Sequence, residues 1–360
     1  MAHIYASVAA RLVKKRRFAL AVIIGARGSV PQAAGAAAIF TARGLSEGTV
    51  GGGALEARIG KMAIAALRKG RPLVADFALK GEGRTADGPV CGGKVRVLID
   101  PRPQKNAAVF HHLARSLAAR RGGVLATSGR IAFSGGLVLR RDWIAAGSRS
   151  PDDQDIVKAL SGGEPRLAVF KAGSASDSGG REEAGREFLF LEPVFPPERL
   201  VIAGAGHIGR TICHLGRLLD FEVTVIDDRG AFANRKNLPD ADHIVRADIG
   251  KTLRPFPFDR DAFVVIVTRG HARDADALRA CVRSKAGYIG MVGSRAKVGL
   301  MRREFLARGW ATAGEFDRVR APIGLPIGSR TVSEIAVSIA AELVQARRAL
   351  RAGGKKDRRP

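Results

Sequence analysis

Acidic residues are in short supply in this chain of 360 residues: 34 Asp and Glu face 60 Lys and Arg, a formal net charge of +26. Aromatic residues make up only 6%, with two Tyr and two Trp, too few for the stacked platform on which a single-stranded nucleic acid lies. Charge alone would recommend a nucleic-acid partner, and none is expected. The three cysteines, Cys91, Cys213 and Cys281, form no CxxC pair. A disulfide scaffold or a cysteine-rich zinc site therefore has no footing, and a reducing cytoplasm is the expected compartment. No apolar run nears the roughly 18 residues of a membrane span, so no membrane association is expected either. The basic Lys14–Arg17 followed by the short apolar Phe18–Gly25 reads as the approach to a strand rather than as a signal peptide.

The charge is unevenly placed. Residues 1–150 hold 25 Lys and Arg against 7 Asp and Glu, residues 151–197 are acidic, and 198–360 are basic again. Such a field attracts anions such as phosphorylated cofactors or an acidic partner protein; it equally suits an arginine-rich, solvated surface. The length fits two ordinary domains. A Gly- and Ser-rich stretch from Lys171 has the composition of a flexible loop, expected near 171–185. Pro196 and Pro197 then precede a change of pattern. The expected layout is α/β throughout: a mixed α/β domain over 1–197, a Rossmann-like doubly wound parallel sheet over 198–346 and a basic tail over 347–360. In the first domain a helix is expected over roughly 4–16 and 105–119, with strands at 18–24, 36–41, 72–79 and 94–99.

The doubly wound expectation rests on Leu200-Val-Ile-Ala-Gly204-Ala-Gly206-His207-Ile-Gly209, an apolar strand running into a glycine turn. Gly204 permits the tight turn, Gly206 lets backbone approach a pyrophosphate, and Gly209 lets the following helix pack on the sheet. The first amides of that helix, His207 onward, then face an anion with the positive end of the helix dipole behind them. Ile208, Ile212, Leu215 and Leu219 share one helical face. A second strand, Glu222–Ile226, ends at Asp227, about where a ribose hydroxyl sits in a dinucleotide fold.

Other stretches could carry chemistry. Gly51-Gly52-Gly53 opens a helix, and its amides could cradle an anion, with Glu56 accepting from a ligand or simply capping the turn. Cys91 lies between a proline turn and Gly92-Gly93, with Lys94 and Arg96 nearby to favour its thiolate. That is the form that binds a soft metal or attacks a sulfur donor; the alternative is a small buried hydrophobe. Cys213 and Cys281 read as packing residues in helices. His271 and Asp274 follow a buried strand and could form an oriented base pair, or Asp274 could cap the helix. Gly293, Ser294 and Arg295 give another glycine turn into a cationic helix start suited to phosphate, with Lys297 beside it. Thr331 and Glu334 form a capping box for the last helix.

Taken in order, Gly28-Ser-Val-Pro31, Val50–Glu56, Val90–Gly93, Val201–Gly209, Tyr288–Arg295, Ala321–Gly328 and Glu334–Ile339 resemble the XdhC/CoxI family of molybdoenzyme accessory proteins. The resemblance covers about residues 8–100 and 188–345, and departs from the family's habits at Gln32, Arg320 and Pro326. It implies an N-terminal XdhC/CoxI domain and a Rossmann-like C-terminal domain. It also implies binding of molybdenum cofactor, as molybdopterin or its nucleotide form, with its sulfuration and insertion into a xanthine dehydrogenase-type molybdenum hydroxylase. The partners implied are the hydroxylase apoenzyme, a cysteine desulfurase and a second copy in a homodimer, for a maturation factor rather than an enzyme. Cys91 becomes the sulfur or molybdenum contact. The competing expectation is an NAD(P)-dependent oxidoreductase using Gly204, Gly206, Gly209 and Asp227, with His271 as its sole candidate proton donor.

Overall fold

The structure, a computed structural model, describes residues 2–79, 92–131, 136–146, 158–160, 163–170 and 187–351. Cys91, the stretch near 171–185 and residues 352–360 lie outside these. The chain divides into two compact units, Met1–Pro196 and Pro197–Pro360.

The first unit runs α1 (Ala2–Val13), β1 (Ala19–Arg27), β2 (Ala37–Thr41), β3 (Gly44–Gly48), α2 (Gly53–Lys69), β4 (Leu73–Ala78) and β5 (Lys94–Asp100). A 3-10 turn at Pro103–Asn106 leads into α3 (Ala107–Ala118), then β6 (Gly123–Ile131), β7 (Leu137–Ala145), β8 (Arg166–Phe170) and β9 (Glu187–Val194). Two antiparallel sheets result, ordered β3-β2-β1-β5-β4 and β7-β6-β9-β8. Strand β1 explains why its sequence is an unbroken apolar run. Successive side chains point to opposite faces: Ala19, Ala21 and Ile23 join the core beneath α2, whereas Leu20, Val22 and Ile24 join the core shared with α1, α3 and the second sheet. Both faces are covered, so neither can be polar.

The second unit runs β10 (Arg199–Ala203), α4 (His207–Leu218), β11 (Glu222–Ile226), β12 (His243–Val245), α5 (Ile249–Leu253), β13 (Ala262–Ile266), α6 (His271–Cys281), β14 (Tyr288–Met291), α7 (Arg295–Ala307), α8 (Ala313–Asp317) and α9 (Val332–Arg351). Its five strands are all parallel, in the order β12-β11-β10-β13-β14. This is the doubly wound order, with its topological switch between β10 and β13. Leu200 and Ile202 face the core that holds α4 and α9; Val201 and Ala203 face the opposite core under α5, α6 and α7. Cys213 and Cys281 are buried in these cores, and burial pushes each thiol up to about 12, the inert state of a packing cysteine. Among the described residues, no helix is long and apolar enough to cross a membrane.

Arg347–Arg351, expected as the start of a tail, instead continue α9. Arg347 lies over the Phe221 ring at 3.9 Å and donates to the Leu219 carbonyl at 2.9 Å, and Arg351 donates to Glu198 at 2.6 Å. Residues just before β10 and β11 thus hold a basic segment that looks solvated in sequence. Arg347→Ala is expected to lower the unit's stability by about 1–2 kcal/mol, from a lost cation–π contact and hydrogen bond; chemical denaturation checks it, and an unchanged midpoint would contradict the anchoring.

Candidate functional site

The carboxyl ends of β10, β11, β13 and β14 carry the loops that the sequence marks. After β10, Gly204 takes φ 114°, a region that side chains avoid. A Cβ at 204 would stand 2.5 Å from the Val267 carbonyl oxygen, and one at 209 would be driven into the Gly204 carbonyl. These two glycines therefore let strand, turn and helix touch. Gly206 differs, because nothing lies within 4 Å of where its Cβ would be. It caps α4 without a side-chain hydrogen bond, so the turn presents an open backbone with His207 exposed beside it.

Asp227 follows β11 and is only 1% exposed. One oxygen accepts from the Ala205 amide at 2.8 Å and from Arg229 Nη2 at 2.7 Å; the other accepts from the Arg229 amide at 2.9 Å and its Nε at 2.8 Å. Burial opposes ionisation, but the Arg229 guanidinium and these amides outweigh it and hold the carboxyl down at about 2. Asp227 thus fastens the glycine turn to the end of β11. Its neighbour Asp228 accepts from Arg273 Nη1 at 2.5 Å, with Arg269 Nη2 at 3.8 Å. Because β10 separates β11 from β13, this pair spans the carboxyl end of β10.

His271 and Asp274 do not pair with each other. His271 Nε2 lies 3.5 Å from Glu304, whereas the fully buried Asp274 accepts from Thr268 at 2.6 Å and from Lys297. Lys297, which the sequence offers to a phosphate, is held by that carboxylate. Ser294 caps α7 by accepting from the Lys297 amide, and Ser294 and Arg295 are exposed, with Gly293 partly so. The Pro322–Gly328 loop is tied down by the buried Glu342, which accepts from Tyr288 at 2.8 Å and from the Gly324 amide at 2.7 Å. The expected capping box forms, with Glu334 accepting from the Thr331 amide and Thr331 from the Glu334 amide.

In the first unit the glycine motifs converge on the turn Gly28–Pro31. Gly51, at φ 121°, lies so close to Pro31 that a Cβ would stand 2.8 Å from its Cγ. On the other side, a Cβ at Gly93 would meet Val30 Cγ1 at 2.5 Å and the Arg27 carbonyl at 2.9 Å. Gly52 and Gly53 are open, and Glu56 accepts from Thr49 at 2.8 Å and the Val50 amide at 3.0 Å. Glu56 therefore caps its own turn. Near this turn is a cavity of ≈ 900 Å³ lined by residues that include Arg27, Asp76, Lys94, Arg96 and Leu167. Arg96 and Asp76 form a two-pronged pair at 2.7 and 2.9 Å. Among the described residues, no group of three or more His, Cys, Asp or Glu could hold a metal ion.

Sequence reasoning passed over Asp228, Arg229 and Arg246. The run of two acids and an arginine directly after a strand was the available signal for the first two; Arg246 had none.

A parallel sheet in this order, with a glycine turn at the end of its first strand, defines a Rossmann-type unit, here joined in sequence to an antiparallel α/β unit. The chain belongs to the XdhC and CoxI family: residues 12–78 match that family and residues 200–343 match the XdhC Rossmann domain. It is 29% identical over 236 residues to the Escherichia coli protein YqeB, covering 65% of this chain and 40% of that one. It is also 29% identical over 160 residues to a Bacillus subtilis protein, a probable xanthine dehydrogenase subunit, covering 44% and 46%. The chain thus spans less than half the length of these curated relatives. A crystal structure described as a xanthine dehydrogenase from Bacillus halodurans shares the fold, with TM-score 0.74 and 23% identity over 98% of this chain and 97% of that one.

Proposed function

We propose that this protein is a maturation factor for a xanthine dehydrogenase-type molybdenum hydroxylase, binding molybdenum cofactor for sulfuration and insertion. The observation that carries this reading is the meeting of Gly51 and Gly93 at the Gly28–Pro31 turn, which puts an open helix start and the residues following Cys91 around one turn. The adjoining cavity suits the group. A volume of ≈ 900 Å³ lies within the roughly 300–1,000 Å³ range of small-molecule sites. Its lining supplies Arg27 and Lys94 in addition to the paired Arg96, as a phosphate-bearing pterin requires. When bound, the cofactor supplies soft molybdenum and sulfur chemistry. The chain's own part would be to hold its phosphate on Arg27 and Lys94 of the cavity, while Glu56 fixes the open turn at Gly52 and Gly53. Cys91 would be the sulfur or molybdenum contact.

The partners in this reading are the hydroxylase apoenzyme and a cysteine desulfurase as sulfur source, met by a homodimer in the cytoplasm. The family membership and the name of the Bacillus subtilis relative support it. Anaerobic purification from cells with an intact cofactor pathway, followed by pterin and molybdenum analysis, tests it: a near-stoichiometric load is expected, and no saturable binding would sink it. Cys91→Ala is expected to lower client activation at least tenfold while leaving the circular dichroism spectrum unchanged. Equal activation by the variant would remove the thiol from the mechanism.

A further inference from the structure

In a dinucleotide fold the adenosine ribose lies beyond the end of the second strand, where an acid accepts from its free hydroxyls or an arginine receives a 2′-phosphate. Here the acid in that place is Asp227. A carboxylate offers about four lone-pair positions, and Asp227 gives all of them to the Ala205 amide and to three donors of Arg229. It is buried, and no acceptor capacity is left for a ribose hydroxyl. The next acid, Asp228, is engaged by Arg273 and Arg269.

The cations are arranged differently. Arg229 is fixed by Asp227 and lies over the Phe232 ring at 4.0 Å. Arg246 follows β12, the parallel neighbour of β11, and its guanidinium rests against Gly230, where a Cβ would stand 2.5 Å from Cζ. Arg246 is exposed and has no hydrogen-bond or ion-pair acceptor among the described residues. Around the ribose position Asp227 is saturated, and Asp228 meets both arginines through one oxygen while its other is buried without a partner among the described residues; the Arg246 guanidinium is left over. The neighbouring turn supplies the rest of a nucleotide seat: the open Gly206 and the unpaired leading amides of the twelve-residue α4.

We propose that the C-terminal unit binds a dinucleotide carrying a phosphate on its adenosine ribose, NADP-type in preference to NAD-type, with Arg246 as the phosphate contact. This site is built from the C-terminal unit alone, and the proposal does not depend on the pterin reading above. It concerns binding and requires no hydride transfer by this chain. Gly230 is part of the device, because only a residue without a side chain leaves the Arg246 guanidinium in place. Asp227 is a positioning residue, which keeps Arg229 and the glycine turn in register.

Titration of the full chain, purified free of pterin, with NADPH and with NADH, followed by nicotinamide fluorescence, tests the proposal. NADPH is expected to bind at least tenfold more tightly, and 2′,5′-ADP to displace it where 5′-ADP does not. Arg246→Ala is expected to bring NADPH down to the affinity of NADH and leave NADH unchanged. Because that side chain is exposed and unpaired, the fold should be unaffected. Gly230→Ala, which dislodges the guanidinium without removing it, should move NADPH in the same direction. Equal affinity for the two nucleotides, displacement by 5′-ADP as effective as by 2′,5′-ADP, unchanged NADPH binding in Arg246→Ala, or no saturable binding of either nucleotide would overturn it.

Discussion

Gly209→Ala is expected to destabilise the C-terminal unit by about 3 kcal/mol or more, near the upper end of what overpacking costs. The added methyl group would be driven into the Gly204 carbonyl oxygen, a backbone atom that cannot rotate away. Neither partner can give ground freely. Gly204 already abuts the Val267 carbonyl, and its amide donates to the Ile226 carbonyl at 2.9 Å. The helix would have to lift from the strand, opening the core around Ile212 and Leu200. For a unit of this size the loss corresponds to a fall in melting temperature on the order of 10 °C, measurable by calorimetry. Gly206→Ala is the control, because its Cβ would meet nothing within 4 Å. It should leave the melting temperature nearly unchanged, and equal destabilisation by the two variants would contradict this account of the turn.

The N-terminal unit should lose stability as pH rises from about 4.5 to about 7. Glu192 on β9 is 2% exposed and accepts from Tyr5 on α1 at 2.5 Å, while its other oxygen is buried without a partner among the described residues. Burial raises its carboxyl to about 7, against the smaller opposing pull of Tyr5 and Arg141. The folded state therefore binds a proton that the unfolded chain releases near its ordinary value. The stabilising contribution is complete below about 4.5, declines as pH climbs through 7 and is absent above it. The difference between the two values corresponds to about 3 kcal/mol. Glu192→Gln, which cannot ionise, should match the parent at about pH 4 and exceed it at about pH 8 in urea denaturation. A parent curve with no slope across this window would show that the carboxyl titrates at its ordinary value.

What the sequence made legible were features that one segment specifies alone. The run Leu200–Gly209 contains its strand, turn and helix start within ten consecutive positions, and β1 announces burial on both faces by having no polar residue from Ala19 to Ile24. The hairpin of β6 and β7 escaped notice for the opposite reason. Arg140, Arg141 and Asp142 interrupt its second strand, and β9, which pairs β6 on its other edge, arrives only after a long intervening stretch. Helix α7 was legible only at its start, marked by Gly293, Ser294 and Arg295, since only Met301 and Phe305 of its residues are buried and no apolar stripe announces its length. At the site, sequence position marked Asp227 as an acid at the right strand end. Its use depends on Ala205 and Arg229, and the burial that reserves it for them is a tertiary fact. The same holds for Lys297, whose partner Asp274 sits on another helix, and for Arg246, which matters only because β12 lies next to β11.

Glu198 stands at the doorway of the second unit, one residue before its first strand, and the end of the last helix returns to the same spot through Arg347 and Arg351. The start of β10 and the end of α9 are consequently neighbours. Such a body can be inserted into a longer polypeptide, or re-cut with new ends in an outer loop and the old ones stitched together, without rerouting anything inside. A lineage that fuses, swaps or detaches this module therefore needs to redesign one corner of it and nothing else.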